Sequence, residues 1–181
     1  MATGNTALAH MTGDDPVTAL HAANDTCLEE LEHFLSTINA NDYRDNHRSE
    51  SAIGAHVRHL LEHYEILIRD LGHPIDYERR AREPDVERCP RAARLRVRSV
   101  RGDLREVAAR WPDTMLPVWC TASDDAGQGV LAVRSSLARE LLFLHSHTVH
   151  HMALIAVLGR QRGLVVDQGF GVAPSTLRQR R

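Results

Sequence analysis

Eight of the twelve histidines in this 181-residue chain stand in two short segments: His56, His59, His63 and His73 in one, His145, His147, His150 and His151 in the other. Imidazole is both a transition-metal ligand and a proton carrier near neutral pH, so the clustering points first to metal-centred chemistry. His147 and His151 are four residues apart. With a rise of about 1.5 Å per residue, that spacing places them one turn apart on one helix face, where a single ion reaches both rings. Phe143, Leu144, Leu154, Ile155 and Leu158 point the same way, so the pair belongs to an apolar stripe, while His145 points away and His150 lies on the flank. Glu140 shares the pair's face two turns earlier, as a ligand, base or orienter. His59 and His63 repeat the four-residue spacing, with His56 one turn before and Glu62 beside them. Where two such helices face each other, one histidine of the first group completes a site with His147 and His151. Three neutral imidazoles suit zinc, nickel, copper or ferrous iron better than magnesium or calcium, which prefer oxygen ligands. The competing reading makes these histidines satisfied polar residues at a core edge or adventitious metal binders, and spacing alone does not separate the two.

The elements that must position these side chains are helices. From Asp15 to Ile38, apolar residues recur at three- and four-residue steps, with Asp14 or Asp15 as cap and Pro16 in the first turn. A polar connection, Asn39 to Ser49, precedes a second helix over Ser51 to Leu71, stopped by Gly72 and Pro74. His73 to Pro90 is charged and proline-rich and predicts an ordered but irregular excursion over the surface. A third helix spans Arg91 to Trp111, its arginine row forming a solvated face interrupted by Asp103 and Glu106. Met115 to Thr121 and Gly129 to Val133 predict a short hairpin. A last helix runs from a Ser135 or Ser136 cap to about Arg162, with Gly163 at its stop. Its apolar residues occur nearly all round, which predicts a central helix or one covered by a second subunit, hence a homodimer. The tail from Leu164 to Arg181 is expected as an extended segment packed on the domain and fraying at its end.

Composition narrows the chemistry. The chain is 43% hydrophobic and 25% charged, which fits one soluble globular domain, taken as residues 15–178 after a flexible N-terminus of residues 1–14. All 22 basic residues are arginine, so lysine Schiff-base chemistry, pyridoxal phosphate attachment and a Walker A phosphate loop are excluded. A net charge of -2 gives no sign of a nucleic-acid or membrane partner. Cys27, Cys89 and Cys120 are far apart and odd in number, so no disulfide framework is indicated and a reducing cytoplasm fits. No signal peptide is expected, because Met1 to Pro16 lacks a basic patch followed by an apolar run, and no membrane span, because four histidines interrupt the most apolar stretch, Leu141 to Leu158.

The segment from Ser51 to Tyr64 (SAIGAHVRHLLEHY) resembles the histidine-bearing second helix of the DinB-like superfamily, which includes the YfiT-like metal-dependent hydrolases. Ser146 to His151 (SHTVHH) resembles the HxxxH motif on that family's last helix, and Phe170 to Arg178 (FGVAPSTLR) resembles the close of some of its members. The resemblance covers about residues 15 to 178 and implies an all-α four-helix bundle with a long crossover, here with a short β-hairpin before the last helix. It also implies metal ligands at His59, His147 and His151. Met152, Ala153 and Leu154 replace the family's common Arg-Gly-Gln continuation after the motif, and His63 offers a further imidazole.

The function expected is that of a divalent-metal enzyme, with zinc, nickel or iron as the metal and a small molecule as substrate. Such a metal lowers the pKa of bound water to about 7 for hydrolysis, or holds the thiolate of a thiol cosubstrate for transfer. Glu62, Glu140 and His63 are the candidates to take the proton. Trp119 and Cys120 could reach the mouth of the bundle, although an inert cysteine is the simpler reading. Arg79, Arg80 and Arg82 form a solvated charged loop or else bind an anionic substrate. The alternative function is a non-catalytic, metal-binding dimeric bundle with a structural or sensing role.

Overall fold

Asp15 opens the first helix by accepting a hydrogen bond on Oδ2 from the Thr18 backbone N–H at 3.2 Å, and Pro16 occupies the first turn, where its missing N–H costs nothing. Helix α1 (Pro16–Thr37) follows as expected. The computed structural model describes residues 15–44, 52–124 and 127–179, without the side chains of 123–128. The N-terminal segment 1–14, the alternative cap Asp14, Ser51 and the last two arginines lie outside the described residues.

The second long helix, α3 (Ile53–Asp70), and the third, α5 (Pro90–Arg110), agree with the apolar periodicity to within about two residues at their ends. Between α1 and α3 the supposed polar connection contains a short helix, α2 (Ala40–Arg44). Asn39 starts it by accepting on Oδ1 from the backbone N–H groups of Asn41 and Asp42. The excursion after α3 is not wholly irregular either: it holds a two-residue strand, β1 (Ile75–Asp76), and another short helix, α4 (Pro84–Arg88). The hairpin is longer than predicted, with β2 (Met115–Asp124) antiparallel to β3 (Gly127–Ser136). β1 pairs in parallel with β2, Ile75 opposite Val118 and Asp76 opposite Trp119, which makes a three-stranded sheet in the order β1-β2-β3. Helix α6 (Leu137–Gln161) starts at Ser136, whose Oγ accepts from the Arg139 N–H. The tail closes in a helix, α7 (Pro174–Gln179), rather than remaining extended. The described chain is therefore mostly helical, with seven helices and one small sheet, and not all-α.

The four long helices pack in a ring: α1 against α5 and α6, and α3 against α5 and α6. Their shared core includes Leu28, Leu31, Leu60, Leu67, Val97, Leu104, Leu144 and Ile155. Two glycines permit close approaches. A Cβ on Gly54 would lie 1.9 Å from the Glu87 carbonyl oxygen, so α4 can lie on α3 only with glycine there. Gly171 combines a φ of +71° with a backbone approach to Ala153 on α6 that a Cβ would obstruct at 2.4 Å, pinning the tail to α6. By length and composition α6 would suffice to cross a membrane, yet it packs against α1 and α3 as a core helix of this fold.

Candidate metal centre

Helices α3 and α6 face each other, and this brings the two histidine groups together. His59 and His63 project from α3 and His147 and His151 from α6. Ring centroids are 4.4 Å apart for His63 and His147, 5.1 Å for His59 and His147, 4.7 Å for His59 and His151, and 4.5 Å for His147 and His151. Each of His59, His63 and His147 offers a ligand atom, and these three atoms lie within 4.8 Å of one another. Among the described residues no other group of three histidine, cysteine or carboxylate side chains converges in this way. Spacing left open which histidine of the first group joins His147 and His151, and the family resemblance implied His59. The structure adds His63 to the closest group and places His151 against it, with Nδ1 of His151 3.0 Å from Nδ1 of His56.

The hydrogen bonds fix which nitrogens are free. His63 donates from Nδ1 to the His59 carbonyl oxygen at 2.8 Å, so in the neutral ring its Nε2 carries the lone pair. Nε2 of His147 is buried and has no hydrogen-bond partner, an orphan that a metal would satisfy. Nδ1 of His59 accepts from Nη1 of Arg80 at 2.6 Å. Burial, helped by mutual repulsion between the rings and by the Arg80 charge, pushes the pKa of His59 down to about 3 and that of His147 to about 4. Burial and the neighbouring histidines hold His151 at about 3, and burial lowers His63 and His56 as well. Rings held neutral are the form that binds metals.

The wall of the cluster is aromatic. Tyr77 stacks on His63 with centroids 5.4 Å apart, and Phe143 stacks on His147 at 5.5 Å. Glu140 lies behind this wall. Its Oε2 accepts from the Tyr77 hydroxyl at 2.8 Å and its Oε1 from the Ser135 hydroxyl, so it positions Tyr77 and its hydrogen bonds go to no histidine. Glu62 is buried beside the site but turned to Arg58, whose Nη1 donates to Oε2 at 2.9 Å; its Oε1 has no partner. Of the three proton-acceptor candidates, only His63 lies within the cluster.

His145 is remote, as its helical phase predicts, with Nδ1 3.6 Å from Cys27 Sγ, and His150 is exposed at the edge of His151. Burial pushes the Cys27 thiol up to about 11, so it is not a nucleophile in waiting. Trp119 and Arg79 line a separate polar cleft with Arg69, His73 and Asp76. A larger pocket between α1 and the tail, lined by Glu29, Glu30, His33, Phe34, Asp167 and Phe170, shares no residue with the histidine cluster. Of the two readings of Arg80, the solvated loop does not hold, because its guanidinium lies against His59 in the cluster. The signal for this placement was the position of that loop immediately after the histidine helix.

No protein-family model matches the chain, and no solved structure matches it. FK506-binding protein 5 of Rhizopus delemar is 33% identical over 104 residues, 57% of this chain and 26% of that protein. The chain thus spans about a quarter of that relative's length.

Proposed function

We propose that the chain is a DinB-like, divalent-metal-dependent enzyme acting on a small molecule, with the metal held between α3 and α6. His59, His63 and His147 are the ligands the geometry favours, and His151 is the neighbour that the family resemblance would put in place of His63. The observation that carries this reading is the convergence of three neutral imidazoles around a buried His147 Nε2 that no protein group satisfies. A histidine-only donor set suits zinc, nickel or ferrous iron. Such an ion, when bound, supplies Lewis acidity to a water or to the thiol of a cosubstrate, which serves hydrolysis and thiol transfer respectively. The chain's own contribution is to hold the rings neutral, to wall the site with Tyr77 and Phe143, and to lock Tyr77 through Glu140. On this reading the ring of four long helices is the four-helix bundle of that family, with the chain from His73 through the sheet lying outside it.

His151 supports a second reading, because a fourth imidazole closing on the ion would make the centre structural and the protein a sensing or scaffolding bundle. Exposed Leu142 and Val157 on α6 support a homodimer under either reading. The unpaired cysteines accord with a cytoplasmic location. Elemental analysis of tag-free protein tests the metal centre: about one equivalent of a single transition metal per chain is expected, lost in His147→Ala. A metal-free protein that takes up no zinc, nickel or iron on titration overturns it. Screening of the loaded protein against hydrolytic and thiol-transfer substrates, with the bound ion's exchange rate, then separates enzyme from structural centre.

A further inference from the structure

Arg80 brings a full positive charge to a cluster of neutral rings, and its chemistry there is unfinished. It makes no ion pair with any described carboxylate, and its Nε is buried without an acceptor. Glu78, the carboxylate nearest it along the loop, is held by Thr121, accepting from the backbone N–H at 3.2 Å and from the hydroxyl at 2.6 Å. The Arg80 backbone N–H donates to the Glu78 carbonyl oxygen at 3.0 Å, and its side chain is anchored at Nη1, which donates to Nδ1 of His59.

That one hydrogen bond is incompatible with a metal on His59. A neutral imidazole has a single lone pair in the ring plane. If His59 binds an ion through Nδ1, the acceptor is used; if it binds through Nε2, the proton moves to Nδ1, which then donates and cannot accept from a guanidinium. In both cases Arg80 would lose that acceptor, leaving Nη1 as well as the buried Nε unpaired beside His59. A buried guanidinium left with free N–H groups is matched by a carboxylate, whose two oxygens accept from adjacent donors.

We propose that Arg80 is an anion-binding residue of the substrate site, engaged only when His59 is taken by a metal, and that the substrate carries a carboxylate. The inference rests on the metal reading above. In the metal-free protein Arg80 is a latch on His59 that competes with the metal; in the loaded protein it orients the carboxylate end of the substrate over the histidine face. Metal and carboxylate therefore bind with positive coupling, while Arg80 opposes the metal when no carboxylate is present.

Calorimetric titrations of zinc into metal-free wild-type protein and Arg80→Met, followed by benzoate into each loaded protein, test this. Methionine keeps much of the apolar stem, and circular dichroism with a thermal melt verifies that the variant is folded. Zinc is expected to bind Arg80→Met about tenfold tighter than wild type, because the competing charge-assisted hydrogen bond is gone. Benzoate is expected to bind zinc-loaded wild type and to bind loaded Arg80→Met at least tenfold more weakly. Equal zinc affinities, or benzoate binding undiminished in the variant, which would place the anion on the ion alone, overturn the role of Arg80 and leave the metal centre standing. Failure of both proteins to take up zinc overturns the metal centre and this inference with it.

Discussion

The assignment of individual histidines rests on their second nitrogens. A ring is available to a metal when its other nitrogen is occupied by a donor interaction or left as N–H, and His63 meets this condition through its bond to the His59 carbonyl. His151 has its Nδ1 against Nδ1 of His56, one donating to the other, and sits beside the closest trio. Alanine variants discriminate between the two. His63→Ala is expected to lose stoichiometric zinc, whereas His151→Ala is expected to retain it with affinity lowered by about 10- to 100-fold, as for a residue that supports ligands. Zinc content after gel filtration measures both, and the opposite order would establish the ligand set implied by the family resemblance. Spacing had singled out these same residues because the helical repeat makes four-residue pairs visible. It could not rank His63 against His151, since both satisfy the same period on their own helices and only the relative rotation of α3 and α6 decides which converge.

At the level of elements, the helices that carry the site are tied together one residue beyond it. Tyr64, next to His63, donates its buried hydroxyl to Asn24 Oδ1 at 2.6 Å and lies 2.8 Å from the Thr148 hydroxyl, next to His147. Asn24 in turn donates from Nδ2 to the carbonyl oxygens of Leu20 and Leu141 at 2.8 and 3.0 Å, so α1, α3 and α6 share one satisfied polar network. Tyr64→Phe leaves the Asn24 oxygen without its donor and should cost about 1–3 kcal/mol of unfolding free energy in a urea titration. A second, outer tie joins α1 to α5. Arg101 donates to both oxygens of Asp25 at 2.7 and 3.1 Å and to Glu32 at 3.2 Å, and Arg98 joins Glu32. Arg101→Met should cost about 1–2 kcal/mol, more than an isolated surface pair, because Asp25, Glu32 and, at 3.6 Å, Glu29 lose their common partner. The arginine row of α5 was legible as a polar face, but its partners on α1 were not, since periodicity identifies a face and says nothing of what it meets. The long helices were legible for the same reason: their apolar stripes, the Asp15 and Ser136 caps and the left-handed Gly72 and Gly163 at their stops are local signals. β1, α2 and α4 were missed because elements of two to five residues are too short to show a period, and β1 exists only by pairing with a strand some forty residues later.

For the molecule as a whole, holding a cluster of neutral histidines inside a helical ring couples stability to pH. In an unfolded chain each histidine titrates near 6.5. In the folded, metal-free protein His59, His147 and His151 stay neutral until about pH 3 to 4, and burial also lowers His56, His63, His21 and His145. Between these limits the unfolded state binds more protons than the native state, so stability rises with pH. The contribution is fully present above pH 6.5 and is lost as pH falls toward the folded values. At pH 5 the first three residues alone take up about three protons on unfolding. Glu30 and Glu65, whose pKa values burial raises, act with the opposite sign, but they are two groups against seven and titrate from a lower starting value. The melting temperature of protein kept in a chelator should therefore be nearly level above about pH 7 and fall as the pH is lowered from about 6.5 to 5, and His59→Gln combined with His147→Gln should flatten that fall. A melting temperature that is level or rising over this range would mean that the rings are protonated in the native state, and so unfit to receive a metal. With zinc bound the fall should be steeper, because protons then displace the ion as well as charging the rings, and at a fixed free-zinc concentration the gap between the two curves should narrow as the pH falls.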